Sequence, residues 1–216
     1  MPALDERTHS LVEVAVAVAS GDEARLRARL ESALGRGVPA RWVDELLLQG
    51  MLNVGYALAL QAFAVWRELN PVSEPGEPLA PAEPERWRSR GAEVCAAVYG
   101  RTYHKLLVNL RALHPALEAL VVVDAYGKLI GREGLDLRRR ELCTLAEIAV
   151  LNTPRQLHAH LRGALNTGAL AREIDAVLDL VEAGVGPERA RLARQLWADV
   201  RARARPASEP DATRDG

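Results

Sequence analysis

The chain repeats itself, and no other feature narrows its possible folds as much. Shifted by 131 residues, the sequence aligns without a gap from Ser10 against Glu141 onward, so that Leu11 meets Leu142, Ala15 meets Ala146, Leu26 meets Leu157 and Leu30 meets Leu161. Coincidences of Ala and Leu are cheap in a chain rich in both. The same register also pairs Gly37 with Gly168, Asp44 with Asp175, Gly55 with Gly186 and Trp66 with Trp197, and chance does not readily supply those. We read a true internal duplication, in which one copy repeats the plan of the other.

That plan is helical. From Arg139 to Leu151 the apolar residues Leu142, Leu145, Ala146 and Ala149 fall on one stripe, as on an amphipathic helix. Thr153-Pro154 reads as an N-cap followed by proline at the first helical position, opening a helix that runs to Asn166 and is closed by Gly168. Leu170, Ile174, Val177, Leu178 and Val181 space out a third helix, and Pro187 opens a fourth with Leu192, Leu196, Trp197 and Val200. Aromatic residues make up 4% of the chain while Ala, Leu, Arg and Glu recur, which favours helices over strands. The expected fold class is all-α, a duplicated helical bundle.

Residues 1–69 form the first copy, degenerate in its polar positions. Residues 70–90 read as a Pro-rich linker, since Asn70 to Pro84 holds five prolines and cannot sustain a helix. Residues 91–206 hold two bridging helices, broken at His114-Pro115, and then the second copy. The tail 207–216 lacks large apolar residues and is expected to be disordered. A hydrophobic fraction of 49% is enough for a real core, and 28 Lys+Arg against 29 Asp+Glu leave a net charge of -1, so no basic field invites nucleic acid or an anionic membrane. The start, Met1 to Glu6, has no secretory layout, and the longest apolar stretch, Tyr56 to Trp66, is interrupted by Gln61 and falls short of the roughly 18 residues of a span. A cytoplasmic protein is expected. Cys95 and Cys143 stand far apart without a CxxC, which supports neither a disulfide scaffold nor a cysteine zinc site.

The stretch from Gly134 through Leu142, continued by Thr144-Leu145-Ala146, resembles the opening motif of the carboxymuconolactone decarboxylase family. His160-Leu161-Arg162-Gly163-Ala164-Leu165-Asn166-Thr167-Gly168, followed by Arg172-Glu173-Ile174, is similar to that family's histidine helix and the start of its next helix, and Tyr126-Gly127 sits where the family often has such a pair. The resemblance runs from about Ala119 to Val200 and, through the duplication, more weakly over Ser10 to Leu69. It implies a bundle of the alkylhydroperoxidase D-like type. In the alkylhydroperoxidase D relatives a glutamate precedes a CxxC and then a histidine. Glu141 and His160 match the first and last members, but Thr153 and Gln156 stand at the cysteine positions.

Two readings of Glu141 and His160 stand side by side. His160 borders the stripe of Leu157, Leu161 and Ala164, and Glu141 borders the stripe of the preceding helix through Leu145 and Ile148, so the side chains can converge in one cleft. There a carboxylate would orient an imidazole for proton transfer near neutral pH. The plainer alternative is a hydrogen bond that ties two helices. In the first copy Ser10 and Arg29 take these positions, and that half reads as structural. Arg140 is a candidate to hold a substrate carboxylate, though with Arg138 and Arg139 beside it a solvated charged face is the better account, and Asn166 is a candidate to line the cleft or cap a helix. His158, two residues from His160, has the wrong spacing for a metal pair on a helix, so no metal is expected. Cys143 reads as a packed thiol, Cys95 has no support as a nucleophile, and Tyr103 and His104 approach from outside the repeat.

The resemblance implies a cofactor-independent lyase that decarboxylates a small carboxylated lactone or related carboxylic acid, with His160 as acid and Glu141 orienting it. The alternative is a non-catalytic or regulatory helical protein, and a dithiol peroxidase follows last, for want of the thiols. The resemblance also implies a homo-oligomer, a trimer above all, with no nucleic acid or membrane partner.

Overall fold

The computed structural model describes residues 3–71, 78–79 and 83–204, so most of the Pro-rich stretch and the whole tail 207–216 lie outside the described residues. The first copy comprises α1 (Glu6–Ser20), α2 (Glu23–Gly35) and α3 (Ala40–Leu69). A bridging region follows: α4 (Pro84–Tyr99), a 3₁₀ turn (Gly100–Thr102), α5 (Tyr103–Leu113), and the single turn α6 (Leu117–Ala119), which runs into a π-helix (Leu120–Ile130). The second copy is α7 (Leu137–Leu151), α8 (Pro154–Asn166), α9 (Ala171–Val185) and α10 (Pro187–Ala204). The fold is all-α, and no strand occurs among the described residues.

The duplication holds down to individual caps. Helices α1 and α7, and likewise α2 and α8, begin and end at positions one repeat length apart. Asp5 caps α1 by accepting the Thr8 amide at 2.9 Å, and Asp136 caps α7 by accepting the Arg139 amide at 3.0 Å. Helix α2 closes where Val38 donates its amide to the Ala33 carbonyl around Gly37, and α8 closes where Ala169 donates to Ala164 around Gly168. Both glycines have positive φ, which a side chain would strain. Gly55 and Gly186 share an extended conformation, with φ 78, ψ 171 and φ 86, ψ 160. In the first copy it kinks α3; in the second it separates α9 from α10. Trp66 donates to Asp44 at 2.8 Å, and Trp197 to Asp175 at 2.6 Å.

The copies pack reciprocally: α1 lies against α7, α1 against α9, and α3 against α7. Exchange the copies and the list is unchanged, as a twofold relation requires. The stripe expected on α7 is therefore incomplete as a description. Every residue from Arg140 to Val150 is buried, because its own copy covers one side while α1 and α3 cover the other. Full burial of a side chain such as Leu142 or Leu145 contributes about 1.5–3 kcal/mol. The apolar stretch 56–66 turns out to be the second arm of α3, a helix long and apolar enough by length and composition to cross a membrane. It is bent at Gly55, and its first arm buries Asp44 and Glu45 against protein partners.

The bridging region departs most from expectation. Helix α4 starts at Pro84, inside the stretch read as linker, since proline fits the first turn of a helix. The last bridging segment is a π-helix, closed by the Gly131 amide donating to Tyr126 five residues back. It crosses α4 backbone to backbone. A Cβ on Gly91 would lie 1.9 Å from the Val122 carbonyl oxygen, and one on Gly127 would lie 2.2 Å from that of Trp87. Two glycines thus allow the approach that brings Tyr126 to α4.

Candidate functional site

Glu141 sits in the second turn of α7 and His160 in the middle of α8. The structure brings them together, with Nδ1 of His160 2.9 Å from Oε2 of Glu141 and side chains only 13% and 2% exposed. With a carboxylate as acceptor the ring proton lies on Nδ1, so Nε2 of the neutral imidazole is the free base. Among the described residues His160 is the one ion-pair partner of Glu141. The close approach of α8 depends on Gly163, where a Cβ would stand 2.5 Å from Oε2 of Glu141 and 2.8 Å from Val98 of α4.

Helix α4 closes the site from the bridging region. The Tyr99 ring meets His160 edge-on, with centroids 6.2 Å apart, and meets Tyr126 in the same manner at 6.1 Å. Burial pushes Tyr99 up to about 12 and Tyr126 well above its ordinary value. Cys95, on the same helix, is pushed up to about 12 by burial and then by the Glu141 carboxylate. All three groups keep their protons at neutral pH, so the pair is walled by neutral side chains.

The other expected residues fall elsewhere. Arg140 is neither a substrate fork nor a solvated charge: 1% exposed, it donates to Glu45 at 2.7 Å, Gln49 at 3.0 Å, and the Leu135 and Arg132 carbonyls at 3.0 Å each. Its donors are spent on joining α7 to α3. Asn166, at the end of α8, donates its amide to the Val98 carbonyl at 2.8 Å, capping the end of α4 rather than its own helix. Thr153 occupies the N-cap of α8 without a side-chain bond, and Pro154 follows it. Cys143 is fully buried on α7, its thiol raised by burial and then by Glu147. Tyr103 packs on the small cluster around Cys95 while His104 is exposed. In the first copy Ser10 donates to the Glu6 carbonyl and Arg29 pairs with Glu13, so the equivalent positions do not meet. Among the described residues no three His, Cys, Asp or Glu side chains gather as a metal site would need.

Two features were not legible in the sequence. Tyr99 lies outside both copies, and only the α4 crossing places it beside His160. The second is a hollow of about 570 Å³ whose wall includes Tyr99, His158, Arg162 and Asn166. Neither Glu141 nor His160 lines it, so this space lies on the His158 flank of α8, with Tyr99 common to the hollow and the pair.

A family model described as the carboxymuconolactone decarboxylase family matches residues 2–68 and 118–199, one stretch on each copy and together more than half of the chain. No curated protein matches the chain.

Proposed function

Because the chain belongs to the carboxymuconolactone decarboxylase family, we propose that it is an acid–base enzyme, a lyase acting on a small carboxylated lactone or related carboxylic acid without a cofactor. The observation that carries this reading is the 2.9 Å contact between His160 and Glu141, present in the second copy and replaced by Ser10 and Arg29 in the first. In the proposed reaction the bond to the substrate carboxylate breaks and its electron pair passes into the conjugated carbonyl. The resulting enolate, after CO2 has left, takes a proton from Nε2 of His160 in its imidazolium form, and the ring regains that proton from water before the next turnover. Glu141 holds the ring in place and balances its charge while it is protonated. Enclosure by Tyr99, Tyr126 and Cys95 supports this, because a dry neutral wall strengthens the electrostatic contacts of the pair.

The test is decarboxylation of a panel of carboxylated lactones, followed by proton NMR, with His160→Gln and Glu141→Gln as variants. Losses in kcat of about 10²–10⁴ are expected for His160→Gln. A second reading, as a non-catalytic helical protein, draws on the small exposure of His160 and on a hollow that it does not line. Turnover unchanged in His160→Gln would overturn the acid–base role, and no turnover across the panel would favour the non-catalytic reading.

A further inference from the structure

The hollow beside α8 is also where cations collect. Arg162 reaches it from α8, Arg101 from the turn after α4 and Arg203 from the end of α10, with His158 between them. Lys105 of α5 lines an adjoining space of about 270 Å³ that shares Tyr99, His158, Arg162 and Asn166. Among the described residues no Asp or Glu lines either space. These four cations make no ion pair among the described residues; Asp199 neighbours His158 and Arg203 on a further space but lines neither of these two. Much of the chain's other arginine is treated differently. Arg138, Arg139 and Arg140, for example, are each tied to a carboxylate.

Four separate elements bring four like charges to two adjoining concave surfaces, in a chain whose net charge is only -1. Among the described residues no carboxylate lining either space offsets their mutual repulsion, which a bound anion would relieve. We propose that the hollow binds a small phosphorylated organic molecule. A phosphate, with two charges and several acceptor oxygens, can take bonds from more than one guanidinium at once, whereas a single carboxylate is matched by one. Tyr99, Leu165 and Val200 supply the apolar floor for the organic part. The volume falls within the roughly 300–1,000 Å³ of small-molecule sites. This site does not rest on the proposed reaction, because neither Glu141 nor His160 lines it.

The test is isothermal titration of the full chain at low salt with AMP, citrate and acetate as probes. Saturable binding of AMP is expected, with acetate silent and citrate weaker than AMP. Arg162→Gln and Arg101→Gln should each weaken AMP at least 10-fold, while Arg189→Gln, at an exposed arginine outside the hollow, leaves it unchanged. Added salt should weaken binding further. Circular dichroism melting shows that the variants fold; Arg101 is exposed, so its variant stands even if that of Arg162 does not fold. No saturable AMP binding at millimolar concentration, affinity unchanged in both variants, or citrate bound more tightly than AMP would each overturn the proposal.

Discussion

The buried carboxyl of Glu147 makes the stability of the fold depend on pH. The side chain lies in α7 at the contact with α3, is 0% exposed, and has one bond, from the Asn53 amide to Oε2 at 2.6 Å; Oε1 has no partner. A Cβ on Gly50 would stand 3.1 Å from that oxygen, so the helices leave little room for water. Burial lifts the carboxyl from 4.5 to about 8, with the Asn53 bond opposing only in part. The folded chain therefore holds a proton at neutral pH that the unfolded chain has released. Stability is fully present below about pH 4.5 and falls as pH rises toward 8. At 1.36 kcal/mol per pH unit, the fall between pH 5 and pH 8 is about 3 kcal/mol, a large share of the 5–15 kcal/mol of an ordinary domain. Glu147→Gln keeps an acceptor for Asn53 and cannot titrate. Any fixed cost of the amide is the same at every pH, so the slope is what counts. Urea unfolding of both chains at pH 5, 6, 7 and 8 should show the variant gaining about 3 kcal/mol on the native chain across the series. A difference that stays flat would refute a buried, protonated Glu147.

Four further outcomes follow from the same structure. Gly163→Ala pushes a methyl toward Oε2 of Glu141 and should lower kcat more than it lowers the melting temperature; equal retention of kcat would show that the pair tolerates displacement. Arg140→Met leaves Glu45 buried with Arg132 as its remaining cation and should cost about 3–5 kcal/mol in urea unfolding, and a loss below about 1 kcal/mol would contradict its role between α7 and α3. Native Cys95 and Cys143, buried with raised thiol values, should resist iodoacetamide at pH 8 and support no dithiol-dependent peroxide consumption. Turnover abolished by Cys95→Ser or Cys143→Ser would reverse that. Light scattering is expected to give a trimer, with Tyr56, Leu60, Val108 and Leu113 among the exposed apolar side chains available for contact, and a monomer at micromolar concentration would remove this expectation.

What could be read in advance was what short-range chemistry determines. Pro154, Gly168 and Pro187 mark helix ends through their own backbone preferences, so the order of elements in the second copy was visible before any contact was known. The approach of Glu141 to His160 followed from two neighbouring helices and a motif. Arg140 could not be placed, because two of its acceptors, Glu45 and Gln49, belong to the other copy, with Gln49 91 residues earlier and Glu45 95. Burial of α7 on all sides escaped for the same reason, as one wall is built by α1 and α3. The π-helix from Leu120 leaves an apolar run but no distinctive period, and Tyr99 meets His160 only through the crossing at Gly91 and Gly127.

The reciprocal contacts of α1 with α9 and α3 with α7 have a consequence for how such a chain can change. Two unlinked copies would meet through the same surfaces as a dimer, and their encounter would depend on concentration. On one polypeptide the second copy is always at hand, at an effective concentration set by the connecting chain and not by expression level. Each half is also freed from matching the other outside the shared surface. Ser10 and Arg29 could then drift from the pair that Glu141 and His160 form, with no loss of assembly, leaving one half as scaffold for the other.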